Sequence, residues 1–186
     1  IMTKLLLLLG FPSTLLFAFA AAAEGEGLPG LETLVIPFIV IIILVLINGY
    51  FVAAEFAIIG VRPTQMEALA EQGDRAARSV LNTLESRNGQ DRYIATAQLG
   101  ITVASLGLGM YAEPQIAHFI EPYIAQWFTV SETVLALIGY IIGIGIVTYL
   151  HVVIGEMVPK ALALSDASNV VRWLNGSMTI VQWVMT

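Results

Sequence analysis

The chain has 186 residues, of which 58% are hydrophobic and 12% charged, with mean hydropathy +0.84 and a formal net charge of −6. A soluble domain carries about 25% charged residues, and here the apolar residues also come in long blocks, as in membrane proteins. The negative balance leaves no basic footprint for nucleic acid. The absence of cysteine excludes disulfides, thiol catalysis and zinc–thiolate sites. Two histidines, His118 and His151, are too few for a histidine metal cluster.

Residues 1–23 read as a signal peptide or an uncleaved signal-anchor helix. Lys4 supplies the positive start, Leu5 to Phe19 the apolar run, and Ala18 to Ala23 the small residues of a cleavage site. Residues 24–32 form an acidic, glycine-rich linker. The first core span is predicted over about 34–60. It carries Asn48, Gly49 and Glu55 near its end, and Pro63 opens the next helix. Residues 63–92 alternate apolar and charged side chains at helical spacing, and Gly73 divides them. Two short amphipathic helices are expected, either as a solvated connector or lying on the bilayer surface.

The second span, about 93–110, is weakly hydrophobic. Gln98, Thr102, Ser105 and Gly109 follow i, i+4, i+7, i+11, a polar stripe that reads either as interhelical hydrogen bonding or as a site. Residues 111–132 contain Glu113, Pro114, Glu121, Pro122, Tyr111, Tyr123 and Trp127, as in an interfacial belt outside the membrane. The third span, about 133–155, carries the helix-contact pair Gly139 and Gly143. An interfacial helix, or the start of another span, is expected over 169–186. Arg62, Arg75, Arg78, Arg87 and Arg92 crowd the first connector, whereas the second has no Lys or Arg. The positive-inside rule therefore predicts that 63–92 and the C-terminal end are cytoplasmic.

A charged side chain at mid-bilayer costs roughly 2.5–3.5 kcal/mol on insertion scales, so such residues mark partner helices or water-filled cavities. Asn48 and Glu55 lie two turns apart on one face of the first span. Pro159 has no N–H and frees the carbonyl of Gly155, four residues back and adjacent to the Glu156 carboxylate. Two hard oxygens at one bend suit Mg²⁺, Ca²⁺ or Na⁺. Alternatively, Pro159 simply ends the helix and Glu156 pairs with Lys160. On an α-helical wheel His151 lies opposite Glu156, as a packed histidine rather than a ligand. No span holds an aspartate pair or a visible nucleophile–histidine–acid set, so no enzymatic activity is expected.

Three segments, Asn48-Gly49-Tyr50-Phe51-Val52-Ala53-Ala54-Glu55, Gln98-Leu99-Gly100-Ile101-Thr102 and His151-Val152-Val153-Ile154-Gly155-Glu156-Met157-Val158-Pro159-Lys160, together resemble the transmembrane domain of the CorC/CNNM family, once called hemolysin-like proteins. The resemblance covers residues 33–186. It implies an all-α membrane domain with three core transmembrane helices, cytoplasmic juxtamembrane helices and a homodimeric assembly in the inner or plasma membrane. It further implies Mg²⁺ transport or efflux, coupled to Na⁺ in some members, and a cytoplasmic CBS-domain pair that binds ATP. This chain ends before any such pair and is expected to be a piece of a longer parent. The implied cation ligands are Glu156, the Gly155 carbonyl, Asn48 and Gln98, with Thr102 and Glu55 flanking the path. Val52 and Ala54 stand where family transporters supply oxygens. The alternative function is a non-transporting membrane scaffold or nucleotide-sensing regulator.

Overall fold

The computed structural model describes residues 31–127 and 131–185. The signal-like segment and most of the linker predicted over 24–32 lie outside the described residues. A 3₁₀ turn, Leu31–Leu34, leads into α1 (Val35–Gly60). Two short helices follow, α2 (Pro63–Glu71) and α3 (Arg75–Glu85), and then the long α4 (Gly89–Trp127). The chain continues through α5 (Glu132–Leu150), a π-helical segment (His151–Met157), α6 (Val158–Ser165) and α7 (Ala167–Met185). No strand occurs among the described residues, so the fold is all-α.

Three stretches are long and apolar enough to cross a membrane: Glu32–Gly60, Gly89–Trp127 and Glu132–Ser165. α1 packs on α4, α4 on α5, and the π segment and α6 return along α1. Most of their apolar surface faces outward. Ile36, Phe38, Leu46, Leu106, Ile141 and Tyr149 are all exposed, as lipid-facing side chains are. Where the helices touch, the contacts are small. A Cβ on Gly100 would lie 2.5 Å from the Phe51 ring, and one on Gly143 would lie 3.0 Å from the Glu113 carbonyl. These glycines allow the backbones to approach, which is how helices associate where water supplies no driving force.

Two apolar clusters bracket the middle of the bundle. Ile41, Val45, Leu108, Ala112 and Val147 form one. The larger joins the end of α1 (Ala54, Ile58) and the following Val61 with Met66, Val80, Tyr93, Ala163, Val171 and Met178. It is a core of the water-soluble kind, covering the end of the bundle where α2, α3 and α7 gather. The chain turns between α2 and α3 at Gly73, whose φ of +93° an L side chain rarely adopts. Asp74 caps α3, its carboxylate accepting from the N–H groups of Ala76 (2.8 Å) and Ala77 (3.1 Å). It also pairs with Arg172 of α7. Those backbone donors, and then Arg172, hold the Asp74 carboxyl below its ordinary value. Asn175 donates to Ser79 (2.8 Å), a second polar tie between α7 and α3.

Two elements differ from the sequence expectation. The second span does not end at 110: α4 runs 39 residues to Trp127, through Pro114 and Pro122. At 1.5 Å per residue it is about 58 Å long, roughly twice the hydrocarbon thickness. The stretch expected as an interfacial belt over 111–132 is therefore largely a continuation of α4. Packing explains its survival past two prolines, because Gly139 and Gly143 of α5 let that helix close on the Glu113–Glu121 stretch. Cβ atoms there would meet Ala117 and Glu121 within 3.5 Å. The third span likewise does not end near 155: helix continues through the π segment into α6, with Pro159 in the first turn of α6.

Candidate functional site

Between the two apolar clusters lies a cavity of about 470 Å³. Asn48, Val52 and Glu55 of α1 line it, with Gln98, Thr102 and Ser105 of α4 and His151 and Glu156 of the π segment. Of the six residues singled out in the sequence, the structure brings Asn48, Glu55, Gln98, Thr102 and Glu156 to this one cavity. Gly155 joins through its backbone, where its carbonyl accepts from Asn48 Nδ2 at 2.8 Å. The carbonyl is therefore partnered rather than free, with one lone pair remaining. Of the two apolar residues at expected ligand positions, Val52 lines the cavity, whereas Ala54 is buried in the larger apolar cluster.

His151 was expected to face away from Glu156, and the structure corrects this. Five residues span about 140° of an α-helical wheel. In a π-helix the hydrogen bonds run i→i−5, so residues five apart stack on one side. The segment has that ladder, with Val158 N–H bonding the Val153 carbonyl. The wider turn carries His151 and Glu156 to the same cavity.

A polar chain crosses all three spans. Ser105 Oγ donates to Asn48 Oδ1 (3.2 Å) and contacts His151 Nε2 (3.2 Å). The Gly155 carbonyl can only accept, so it fixes the Asn48 amide with nitrogen towards α5–α6 and oxygen towards Ser105. Ser105 then spends its single proton on Asn48, and His151 Nε2–H donates to Ser105. The network thus ties α1, α4 and the π segment together through side chains. Asn48 is 1% exposed and satisfied at both ends. Such buried polar networks specify geometry when complete.

On the other wall, Gln98 Nε2 donates to Glu55 Oε1 (3.1 Å), leaving the Gln98 carbonyl as an acceptor. Thr102 Oγ1 donates to the Gln98 backbone carbonyl (2.8 Å). Its oxygen keeps acceptor capacity. Lys160 lies 4.3 Å over the Phe56 ring as a cation–π contact, and Phe56 is itself part of the cavity wall. Its charge is thus directed to an aromatic face and not to Glu156. No group of three or more His, Cys, Asp or Glu able to hold a metal occurs among the described residues. The cavity instead offers two carboxylates, Glu55 and Glu156, with neutral amide, hydroxyl and carbonyl oxygens around them.

His151 and Ser105 are the members that sequence reasoning underweighted. Ser105 was on the polar stripe, but the helical wheel hid His151, because nothing in an apolar run announces a π turn except the proline that follows it.

Residues 39–186 match the family model described as the cyclin M transmembrane N-terminal domain, CNNM. Among similar proteins, UPF0053 protein YugS of Bacillus subtilis is 35% identical over 144 residues, 76% of this chain and 32% of its own length. UPF0053 protein YrkA of the same organism is 36% identical over 135 residues, 73% of this chain and 30% of its own. UPF0053 protein sll0260 of Synechocystis is 30% identical over 147 residues, 76% of this chain and 31% of its own. The chain thus spans about a third of the length of these relatives. With its three membrane-crossing helices and this match, the chain is a membrane protein that belongs to the CNNM transmembrane-domain family.

Proposed function

We propose that the chain forms the membrane pathway of a divalent-cation transporter, with Mg²⁺ as substrate. The observation that carries this reading is the convergence of Asn48, Glu55, Gln98, Thr102 and Glu156, from three spans, on one cavity. Polar groups are costly in hydrocarbon and mark ion paths when they converge. Mg²⁺ dehydrates reluctantly and usually keeps several waters. Six waters occupy about 180 Å³ at roughly 30 Å³ each, well within the cavity volume of about 470 Å³. Two carboxylates with a rim of neutral oxygens suit such a hydrated ion better than a bare one. Glu156 supplies charge. The Gly155 carbonyl, Asn48 and Gln98 supply dipoles, and Thr102 and Glu55 flank the path.

The reading extends to a homodimer in the cell membrane, with the 63–92 connector and C-terminal end cytoplasmic. The arginines of that connector support the orientation. It includes a cytoplasmic CBS-domain pair that binds ATP in the full-length protein, and Na⁺ as the coupling ion. Mg²⁺ uptake or efflux in proteoliposomes, compared for the native chain and Glu156→Gln, tests it. The substitution is expected to reduce flux to background. Equal flux overturns the site. If flux is absent in both and neither Mg²⁺ nor Na⁺ shifts thermal stability, the scaffold or regulator reading replaces transport.

A further inference from the structure

The lining of the polar cavity contains two carboxylates, Glu55 and Glu156, and no Lys or Arg. One cation stands directly behind that lining. Lys160 Nζ lies 4.3 Å over the ring of Phe56, itself a lining residue. Both Lys160 and Phe56 are half-buried. The chain has one other lysine, Lys4, and no Lys or Arg between Arg92 and Lys160.

Lys160 follows Glu156 by four residues, the order and spacing at which a carboxylate and an ammonium pair on a helix. Both belong to the membrane-crossing stretch Glu132–Ser165, where an unpaired charge is costly. Yet they form no ion pair, and neither side chain has a hydrogen-bond partner among the described residues. The Phe56 ring holds the ammonium instead. A ring face attracts an ammonium through its quadrupole, and more strongly where water is excluded. Lys160 therefore has two resting places for one flexible stem, the ring and the Glu156 carboxylate. With the ammonium on the ring, Glu156 is open to the cavity with its full charge. With the ammonium on Glu156, one of the two carboxylates is already neutralised.

We propose that Lys160 is a tethered counter-cation that competes with the transported divalent ion for Glu156, and that Phe56 holds it aside while the ion is bound. On the transport reading, on which this rests, Lys160 unloads the site. A divalent ion balances both carboxylates. An ammonium returning to Glu156 repels that ion at short range, and it leaves the carboxylate paired when the ion departs. The cavity thus avoids holding two bare carboxylates in apolar surroundings, which would be costly. Lys160 is a positioning residue: it acts through Glu156 and does not touch the ion.

The test is Mg²⁺ titration of the full chain in detergent, read by thermal shift, alongside NMR of the chain with isotope-labelled methyl groups on its lysines. Methylation keeps the ammonium charge, and the Lys160 signal is the one lost in Lys160→Arg. Lys160→Met is expected to bind Mg²⁺ about two- to fivefold tighter, as for removal of a competing ion pair, and to transport it more slowly. Phe56→Leu is expected to bind it about two- to fivefold more weakly, the worth of one cation–π contact. In the Lys160→Met background Phe56→Leu is expected to change nothing, because the ring then has no ammonium to hold. Lys160→Arg keeps the charge and is expected to stay closer to native than Lys160→Met. Mg²⁺ is expected to move the native Lys160 signal upfield, towards the shielding face of the ring. In Glu156→Gln the signal is expected to stay there throughout. Tighter binding by Lys160→Met separates competition from a structural role, since damage to the fold would weaken binding. If the native chain binds Mg²⁺ and Lys160→Met binds it no tighter, the counter-cation is overturned while the transport reading stands. A Lys160 signal indifferent to saturating Mg²⁺ overturns it equally. No Mg²⁺ binding by the native chain overturns both.

Discussion

Replacing Asn48 with aspartate changes one donor group into an acceptor at nearly constant volume, and so isolates the polarity of the network across the three spans. In the native chain Asn48 Nδ2 donates to the Gly155 carbonyl over 2.8 Å, while Oδ1 accepts from Ser105 over 3.2 Å. Aspartate keeps the acceptor for Ser105 but sets an oxygen against the carbonyl. One neutral hydrogen bond is worth about 1 kcal/mol net, and a buried carbonyl left unsatisfied costs about 1–3 kcal/mol, giving about 2–4 kcal/mol in all. That corresponds to roughly a 30- to 1,000-fold shift in the unfolding equilibrium. The assay is reversible unfolding in mixed micelles with excess chelator, so that no cation rescues the new carboxylate. Asn48→Ala is expected to lose a similar amount, since it too removes the donor. Ser105→Ala combined with Asn48→Ala is expected to be non-additive, because the two side chains share one network. Stability of Asn48→Asp within about 0.5 kcal/mol of native, the range of ordinary surface changes, refutes both the amide orientation and the network built on it.

Glu156→Gln, on an exposed face of the cavity, is expected to leave unfolding stability within about 0.5 kcal/mol of native, so that its loss of flux reports the site and not the fold. Gly143→Ala is expected to destabilise by about 1–3 kcal/mol, as overpacking does, because the added Cβ falls 3.0 Å from the Glu113 carbonyl. Gly145→Ala, two residues on, meets nothing within 4 Å and is expected to be neutral or to gain up to about 1 kcal/mol of helix propensity. Parallel melting curves separate the pair. The lowered Asp74 pKa implies stability that is present above the ordinary value of 3.8 and lost as pH falls through the lower folded-state value. The change in stability between pH 5 and pH 8 should therefore be equal in the native chain and in Asp74→Asn, with the gap between the two closing only below about pH 4. Divergence near neutrality counts against the Asp74–Arg172 tie.

The membrane class, the three spans and the break at Gly73 were legible in the sequence because each rests on local chemistry: apolar length, helical spacing, or a residue that turns the chain. The convergence of Asn48, Gln98 and Glu156 was legible for a different reason. Polar side chains in apolar runs must find each other or water, so their presence forecasts a shared cavity even before the helices are placed. Two features depended on non-local packing. Pro114 and Pro122 argue for a break on local grounds, and only the close fit of Gly139 and Gly143 against α4 holds the helix through them. The π turn is the other. Pro159 announces a disturbance in the ladder, but whether the helix ends, kinks or widens is decided by what lies across from it.

What lies across is Gly49. A Cβ there would sit 2.9 Å from Pro159 Cγ and 3.7 Å from the Gly155 carbonyl. Only glycine lets α1 approach the bend this closely, and the approach brings the neighbouring Asn48 within hydrogen-bond distance of Gly155. Gly155 must be small in turn, since a Cβ on it would lie 3.3 Å from both Asn48 Nδ2 and His151 Cδ2. Pro159, Gly49 and Gly155 thus form one device. The proline removes a donor and the helix widens. The widened turn brings His151 and Glu156 to the same cavity, and the two glycines let Asn48 lock the result. The lock itself is a single neutral hydrogen bond of about 1 kcal/mol net. The buried apolar cluster that anchors α2, α3, α6 and α7 on the end of α1 spans many side chains. A displacement of the π segment along α1 would therefore break the polar lock long before it disturbed that core. This asymmetry supports a bundle that rearranges around the polar cavity while its arginine-bearing end stays fixed.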